Sequence, residues 1–305
     1  MRLITAFLKL VRWPNLFFIA LTQVLFYYAV YLSLYPQPDI SFLTWIIIAS
    51  VFIAAAGNII NDYFDLNIDQ INKPEKNVIN SVISRRWAIF WHLLLSSVGI
   101  IATALAVGLS KWYLIVANII CVLLLWFYST SLKRRLLSGN VVISILTAWT
   151  VLILFFAHVP FTAAFNSNDG MITKFFRISF LYGGFAFIIS LIREAIKDIE
   201  DRRGDEQYGC NTLPIYAGLR ATKIYISIWI IVLIAALIVL QLYILQFGWK
   251  GAVLYSLLFI ITPLLYLLKK LFTANAVPEF TKLSNLTKLI MLTGILSMIF
   301  FRLYF

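Results

Sequence analysis

The chain holds 13 acidic residues among 305, and ten of them fall in two short segments. Residues 57–77 read GNIINDYFDLNIDQINKPEKN, and residues 193–214 read REAIKDIEDRRGDEQYGCNTLP. Asp62, Asp65 and Asp69 form D-x2-D-x3-D, and Asp198, Asp201 and Asp205 repeat that spacing. On an α-helix, positions i, i+3 and i+7 share one face. Each segment therefore projects a stripe of three carboxylates, extended by Asn58 and Asn61 in the first and by Glu194 in the second. Like charges at this spacing repel, and a divalent cation would relieve the repulsion. Mg²⁺ prefers oxygen ligands and is usually held by one or two carboxylates together with substrate phosphates. All six aspartates are thus candidate Mg²⁺ ligands, with the ions bridging to a diphosphate. Lys73, Lys76, Lys133, Arg134, Arg193 and Lys197 are the candidates to hold its remaining oxygens. Mg²⁺ neutralises charge developing on a leaving diphosphate. An allylic prenyl diphosphate can then ionise, and aromatic faces can stabilise the resulting cation. A single acidic cluster at a helix end is commonly a solvated cap. Two copies with identical spacing, holding most of the acids of an apolar chain, favour a site.

The elements that must position these stripes are membrane helices. Hydrophobic residues make up 62% of the chain and charged residues 12%, against about 25% charged in soluble domains. A helix crosses the hydrocarbon in about 20 apolar residues. Nine runs qualify, at roughly 16–34, 42–60, 87–109, 112–130, 141–159, 175–191, 224–245, 252–268 and 286–303. They lack the alternation of barrel strands, and their backbone must be satisfied within each segment, so they are predicted helices. The fold class is therefore all-α: a polytopic membrane protein, with residues 1–305 forming a single membrane-embedded domain. The first run lacks an obvious cleavage site and reads as a retained span. Twenty of the 25 Lys and Arg fall on the N-terminus and the even-to-odd loops, Lys282 and Lys288 among them. The positive-inside rule puts that side, and both acidic segments, in the cytoplasm. The same topology accounts for the net charge of +12, so no nucleic-acid partner is expected. Cys121 and Cys210 are isolated and form no metal-binding pair.

The acidic segments resemble those of the UbiA-type intramembrane prenyltransferase superfamily. Asn61, Asp65 and Asp69 match its N-x3-D-x3-D motif, and Asp201 and Asp205 match its D-x3-D motif, with Thr212 to Pro214 following as in many members. YSTSLKR at 128–134, followed by Gly139-Asn140, looks like the family's loop after the fourth span, and RWPN at 12–15 looks like its entry to the first. The resemblance covers essentially the whole chain. It implies nine helices around a central cavity and two Mg²⁺ ions on Asp65, Asp69, Asp201 and Asp205, the catalytic set, with Asp62 and Asp198 in support. It places Arg12, Asn61, Tyr128 and Asn140 among the substrate-binding residues beside the basic candidates. One departure is Lys73-Pro74-Glu75-Lys76-Asn77, where many members carry an Arg-Pro-x-Arg-Pro type string. Lys binds phosphate as a point charge and lacks the planar fork of Arg. NDYFDLNIDQINKP looks most like the branch that prenylates geranylgeranylglyceryl phosphate in ether-lipid synthesis. An aromatic acceptor of quinone biosynthesis is the alternative. The implied partners are a polyprenyl diphosphate donor, a lipid-soluble acceptor and the lipids of a bacterial or archaeal cytoplasmic membrane.

A secondary transporter is the rival outside enzymes, because the repeated motif fits an internal duplication. Transporter coupling sites usually lie near the bilayer midplane, however, and these acids lie at helix ends. A CDP-alcohol-type phosphotransferase would need glycine after the first acid, and neither segment has it. His92 and His158 read as packed or interfacial side chains. Trp13, Trp45, Trp87 and Trp112 read as interfacial anchors. Pro263 is expected to bend the eighth span.

Overall fold

The computed structural model describes residues 2–72, 79, 82–160, 162–163 and 169–304. Among these, nine helices are long and apolar enough to cross a membrane. A short amphipathic helix, α1 (Arg2–Leu10), precedes them. The nine are α2 (Trp13–Leu34), α3 (Ile40–Asn72), α4 (Arg85–Val107), α5 (Leu109–Thr130), α6 (Ser138–His158), α7 (Gly170–Gln207), α9 (Gly218–Leu245), α10 (Lys250–Thr273) and α11 (Val277–Tyr304). A four-residue helix, α8 (Leu213–Tyr216), joins α7 to α9. The chain is an integral, multi-pass membrane protein.

Six helices close a ring. Successive neighbours α2, α3, α5, α6, α7 and α11 pack side by side, and α11 returns to α2. The side chains lining the central cavity come from these six, from Lys9 of α1 and from the segments joining them, while α4, α9 and α10 contribute none. The outer helices pack on the ring: α4 on α3 and α5, and α9 on α7 with α10 behind it. Small residues set these approaches. A Cβ added at Gly99 of α4 would lie 2.7 Å from Ile53 of α3, and one at Gly57 would lie 2.8 Å from Leu125 of α5.

Two ring helices are much longer than a bilayer requires. At 33 and 38 residues, and about 1.5 Å per residue, α3 and α7 outrun a hydrocarbon core of about 30 Å. Their apolar windows cross, and their acidic segments continue the same helices beyond. The opposite end of the ring is plugged by aromatic packing among Tyr27, Tyr31, Tyr35, Phe42, Phe155 and Phe175. His158 lies within that plug, its ring 3.9 Å from that of Tyr31 and its Nδ1 2.7 Å from the Leu154 carbonyl. His92 Nδ1 is 3.0 Å from the Ala56 carbonyl, so both histidines are packed side chains. A π-turn at Leu257–Ile261 leads directly into Thr262-Pro263 of α10. It accommodates the proline, which lacks an N–H and crowds the preceding turn.

One boundary departs from the sequence pattern. The ninth helix begins at Val277 rather than near Leu286. Pro278 occupies its first turn, and the Glu279 carboxylate accepts from the backbone N–H groups of Asn275 (2.7 Å) and Ala276 (2.9 Å). This start draws Thr281, Ser284 and Asn285 into the helix ahead of Lys288, which falls inside the 286–303 run although by sequence it counts among the loop charges. Lys288 is a cavity-lining residue within α11 and not a loop charge.

Candidate active site

The cavity inside the ring has a volume of about 890 Å³ and is polar at one end and apolar at the other. Its polar end gathers Arg12, Asn61, Asp62, Asp65, Asp69, Tyr128, Lys133, Arg193, Lys197, Asp198, Asp201 and Asp205. Residues up to 193 positions apart in sequence thus share one wall system. The two stripes feel each other: the charge of Asp201 reaches Asp69 across the gap.

The first stripe is met by cations brought from elsewhere in the chain. Arg12 sits in the turn between α1 and α2 with φ 54° and ψ 54°, a left-handed conformation unusual for a residue with a Cβ. From that turn its Nη2 donates to Asp62 Oδ1 at 2.5 Å. The Asp62 charge keeps the Arg12 guanidinium protonated above its ordinary value, against the opposing effect of burial. Lys133 forms the second pair, with Asp65, and its Nζ also lies 3.5 Å from Asn61 Oδ1. The loop carrying Lys133 lies tight on the start of α6, where a Cβ on Gly139 would stand 2.7 Å from Lys133 Cα. The backbone N–H of Asn211 donates to the Arg134 carbonyl at 2.7 Å, joining this loop to the segment that follows α7.

The second stripe is met differently. Glu194 is buried and held by two cations of its own helix, Arg193 Nη1 at 2.9 Å and Lys197 Nζ at 3.0 Å. Asp198 accepts from the Asn140 amide at 2.7 Å. Asn72, the last residue of α3, clamps the two long helices together. Its Nδ2 donates to the Asp201 carbonyl at 2.9 Å, and its Oδ1 accepts from the Gly204 N–H at 2.8 Å. A Cβ at position 204 would lie 2.5 Å from the Asn72 side chain, so the clamp requires glycine there.

Of the residues selected from sequence, Asn140 and Arg134 do not line the cavity. Asn140 lies beneath Asp198, and the Arg134 side chain is exposed. Lys73 and Lys76 fall outside the described residues. Sequence reasoning passed over Asn72 and the polar face of α11. The latter carried a readable signal: Thr281, Ser284, Asn285 and Lys288 recur at i, i+3, i+4 and i+7. Asn72 carried none, because its partners lie 129 and 132 residues away. Cys210 also reaches the cavity; burial, then the nearby Asp205, push its thiol above the ordinary value, so it stays neutral.

The donor set suits Mg²⁺. Both stripes offer oxygen ligands alone, as a hard cation demands. Among the described residues, no three acidic, His or Cys side chains already converge as a closed metal cage. Mg²⁺ does not need one, since it keeps waters and takes substrate phosphate oxygens alongside one or two carboxylates. Facing acidic stripes flanked by Arg12, Lys133, Arg193 and Lys197 leave such positions to a diphosphate.

A profile of the UbiA prenyltransferase family matches residues 20–289. Over 171 residues the chain is 36% identical to a digeranylgeranylglyceryl phosphate synthase of Methanosphaera stadtmanae, a match spanning 56% of each protein. It is 32% identical over 247 residues to a protein of the same description from Korarchaeum cryptofilum, spanning 80% of each. The solved structure of a UbiA homologue from Archaeoglobus fulgidus, bound to DMAPP and Mg²⁺, aligns with a TM-score of 0.59 at 15% identity. That alignment covers 96% of this chain and 98% of that one, and the likeness is one of fold.

Proposed function

The chain belongs to the UbiA prenyltransferase family, and from that membership we propose that it transfers a geranylgeranyl group from geranylgeranyl diphosphate to geranylgeranylglyceryl phosphate. The observation that carries the reading is the pairing of two acidic stripes over one end of a cavity whose other end is apolar. Arg12, Lys133, Arg193 and Lys197 bind the diphosphate oxygens. Asp65, Asp69, Asp201 and Asp205 hold Mg²⁺, with Asp62 and Asp198 in support. When bound, Mg²⁺ supplies the positive charge that stabilises the departing diphosphate.

The ring helices hold the prenyl chain extended toward the aromatic plug and keep water from its allylic carbon. The bond between that carbon and the diphosphate oxygen breaks, and the diphosphate leaves with the electron pair. The acceptor's free hydroxyl oxygen forms the new ether bond to the same carbon and gives up its proton to water or diphosphate. Tyr128 and Asn61 line the polar end where the two reactants meet. The N-terminus and the acidic ends of α3 and α7 face the cytoplasm, where a water-soluble diphosphate is released.

Membranes containing the protein, supplied with labelled geranylgeranyl diphosphate and Mg²⁺, should yield a labelled ether lipid from geranylgeranylglyceryl phosphate, and EDTA should suppress it. A labelled aromatic product instead would move the protein to quinone-type acceptors. The absence of any product, across donors of several chain lengths, would sink prenyl transfer and return the transporter reading.

A further inference from the structure

A reaction that joins two lipids has two head groups to seat, and the acidic stripes with their cations account for one. The second wall is α11. Along one face it presents Thr281, Ser284, Asn285 and Lys288 to the cavity, and then, on the same face, Met291, Gly294, Ile295 and Met298. The face thus changes from polar to apolar along its length, as an amphiphile does. Lys288 is half-buried and stands about 16 Å along the helix from its start, at 1.5 Å per residue. A cation placed that far into a membrane helix and facing a cavity marks a ligand path. The only carboxylate of α11, Glu279, is spent on the helix cap, so this wall does not repel an anion as the acidic stripes do.

We infer that Lys288, with Asn285 and Ser284, seats the anionic head group of the acceptor, a phosphate monoester, while Met291, Ile295 and Met298 accompany its chain. The inference rests on the acceptor assigned above. An anionic acceptor must approach a site rich in carboxylates, and a cation on α11, the wall next to α7, offsets that repulsion. The Lys288 ammonium donates to the phosphate oxygens, and the Asn285 amide and Ser284 hydroxyl add neutral donors.

The test is binding to purified protein in detergent with EDTA present, so that no metal contributes. Geranylgeranylglyceryl phosphate, geranylgeranylglycerol and geranylgeranyl diphosphate are titrated against the wild type, Lys288→Met and Lys288→Arg. Lys288→Met should weaken the phosphorylated acceptor about tenfold or more, the scale of one lost charge-assisted hydrogen bond. It should leave the phosphate-free lipid and the diphosphate donor near their wild-type affinities, and Lys288→Arg should recover most of the loss. Equal weakening of both acceptor lipids would show a packing role, and equal weakening of the donor would show a diphosphate contact; either overturns the inference, as does no change. If the wild type binds neither acceptor lipid but binds an aromatic carboxylate, the acceptor reading falls while the head-group site stands or falls separately. A Lys288→Met loss confined to the free acid, and absent for its methyl ester, would uphold the site; equal loss or none would end it.

Discussion

The two acidic stripes have the same spacing and opposite surroundings. Asp62 and Asp65 of α3 are each paired with a cation from a distant part of the chain, Arg12 and Lys133. On α7 the cations Arg193 and Lys197 are local and are taken up by Glu194, while Asp198 receives a neutral amide from Asn140. An ion pair lowers the energy of a carboxylate and also competes with a metal for it. An amide satisfies one lone pair and leaves the charge in place. Asp62 and Asp65 are thus stabilised by cations that can turn to an incoming diphosphate, while Asp198 keeps its charge beside a neutral donor. Identical spacing fixes the direction in which carboxylates point and says nothing of what meets them.

The comparison is most severely tested by removing one carboxylate from each stripe. Asp65→Ala and Asp201→Ala should each lower turnover about 10³-fold, the several kcal/mol expected of a metal ligand. Size-exclusion profiles in detergent should stay unchanged. Near-wild-type turnover in both variants would remove the metal assignment. Lys133→Ala should come next, with about a 10²-fold loss of kcat/KM and a raised KM for the diphosphate, because it deletes a charged phosphate contact. Lys133→Arg should recover part of it. If Lys133→Ala instead raised activity, the cation would be a competitor of the metal and not a substrate contact.

Asn140→Ala should show as a shift of about tenfold in the Mg²⁺ concentration for half-maximal rate, since it frees Asp198 to move without deleting a charge. A change in the donor KM with no change in Mg²⁺ dependence would place Asn140 on the substrate and blur the contrast between the stripes. The smallest effect belongs to the clamp. Asn72→Ala removes two hydrogen bonds between α3 and α7, about 2 kcal/mol in all, and should lower the melting temperature by several degrees. An unchanged melting temperature would mean that the stripes are held in register by helix packing alone.

Much of this molecule was legible before any fold was known. Charge is costly in hydrocarbon, so the apolar runs declared themselves as spans and the acidic segments stood out as exceptions. Helical periodicity then showed that each set of three aspartates shares a face. Asn140 was picked out by its neighbourhood in a motif, but the structure places it under Asp198 and not in the cavity lining. Lys288 was read as one more loop charge, because a loop and the first turns of an amphipathic helix share a polar composition. The Glu279 cap and Pro278, local signals both, start the helix early, and Lys288 lines the cavity from within it.

By itself the sequence determined which residues could do chemistry and on which helices they ride, because burial cost and helical pitch are properties of short stretches of chain. Tertiary structure alone decided the partners: Arg12 with Asp62 across 50 residues, Lys133 with Asp65 across 68, and Asn72 with the backbone of α7 across more than 120. Those contacts exist only because six helices close a ring. A contact between distant residues depends on how that ring packs, which no single stretch of the chain specifies.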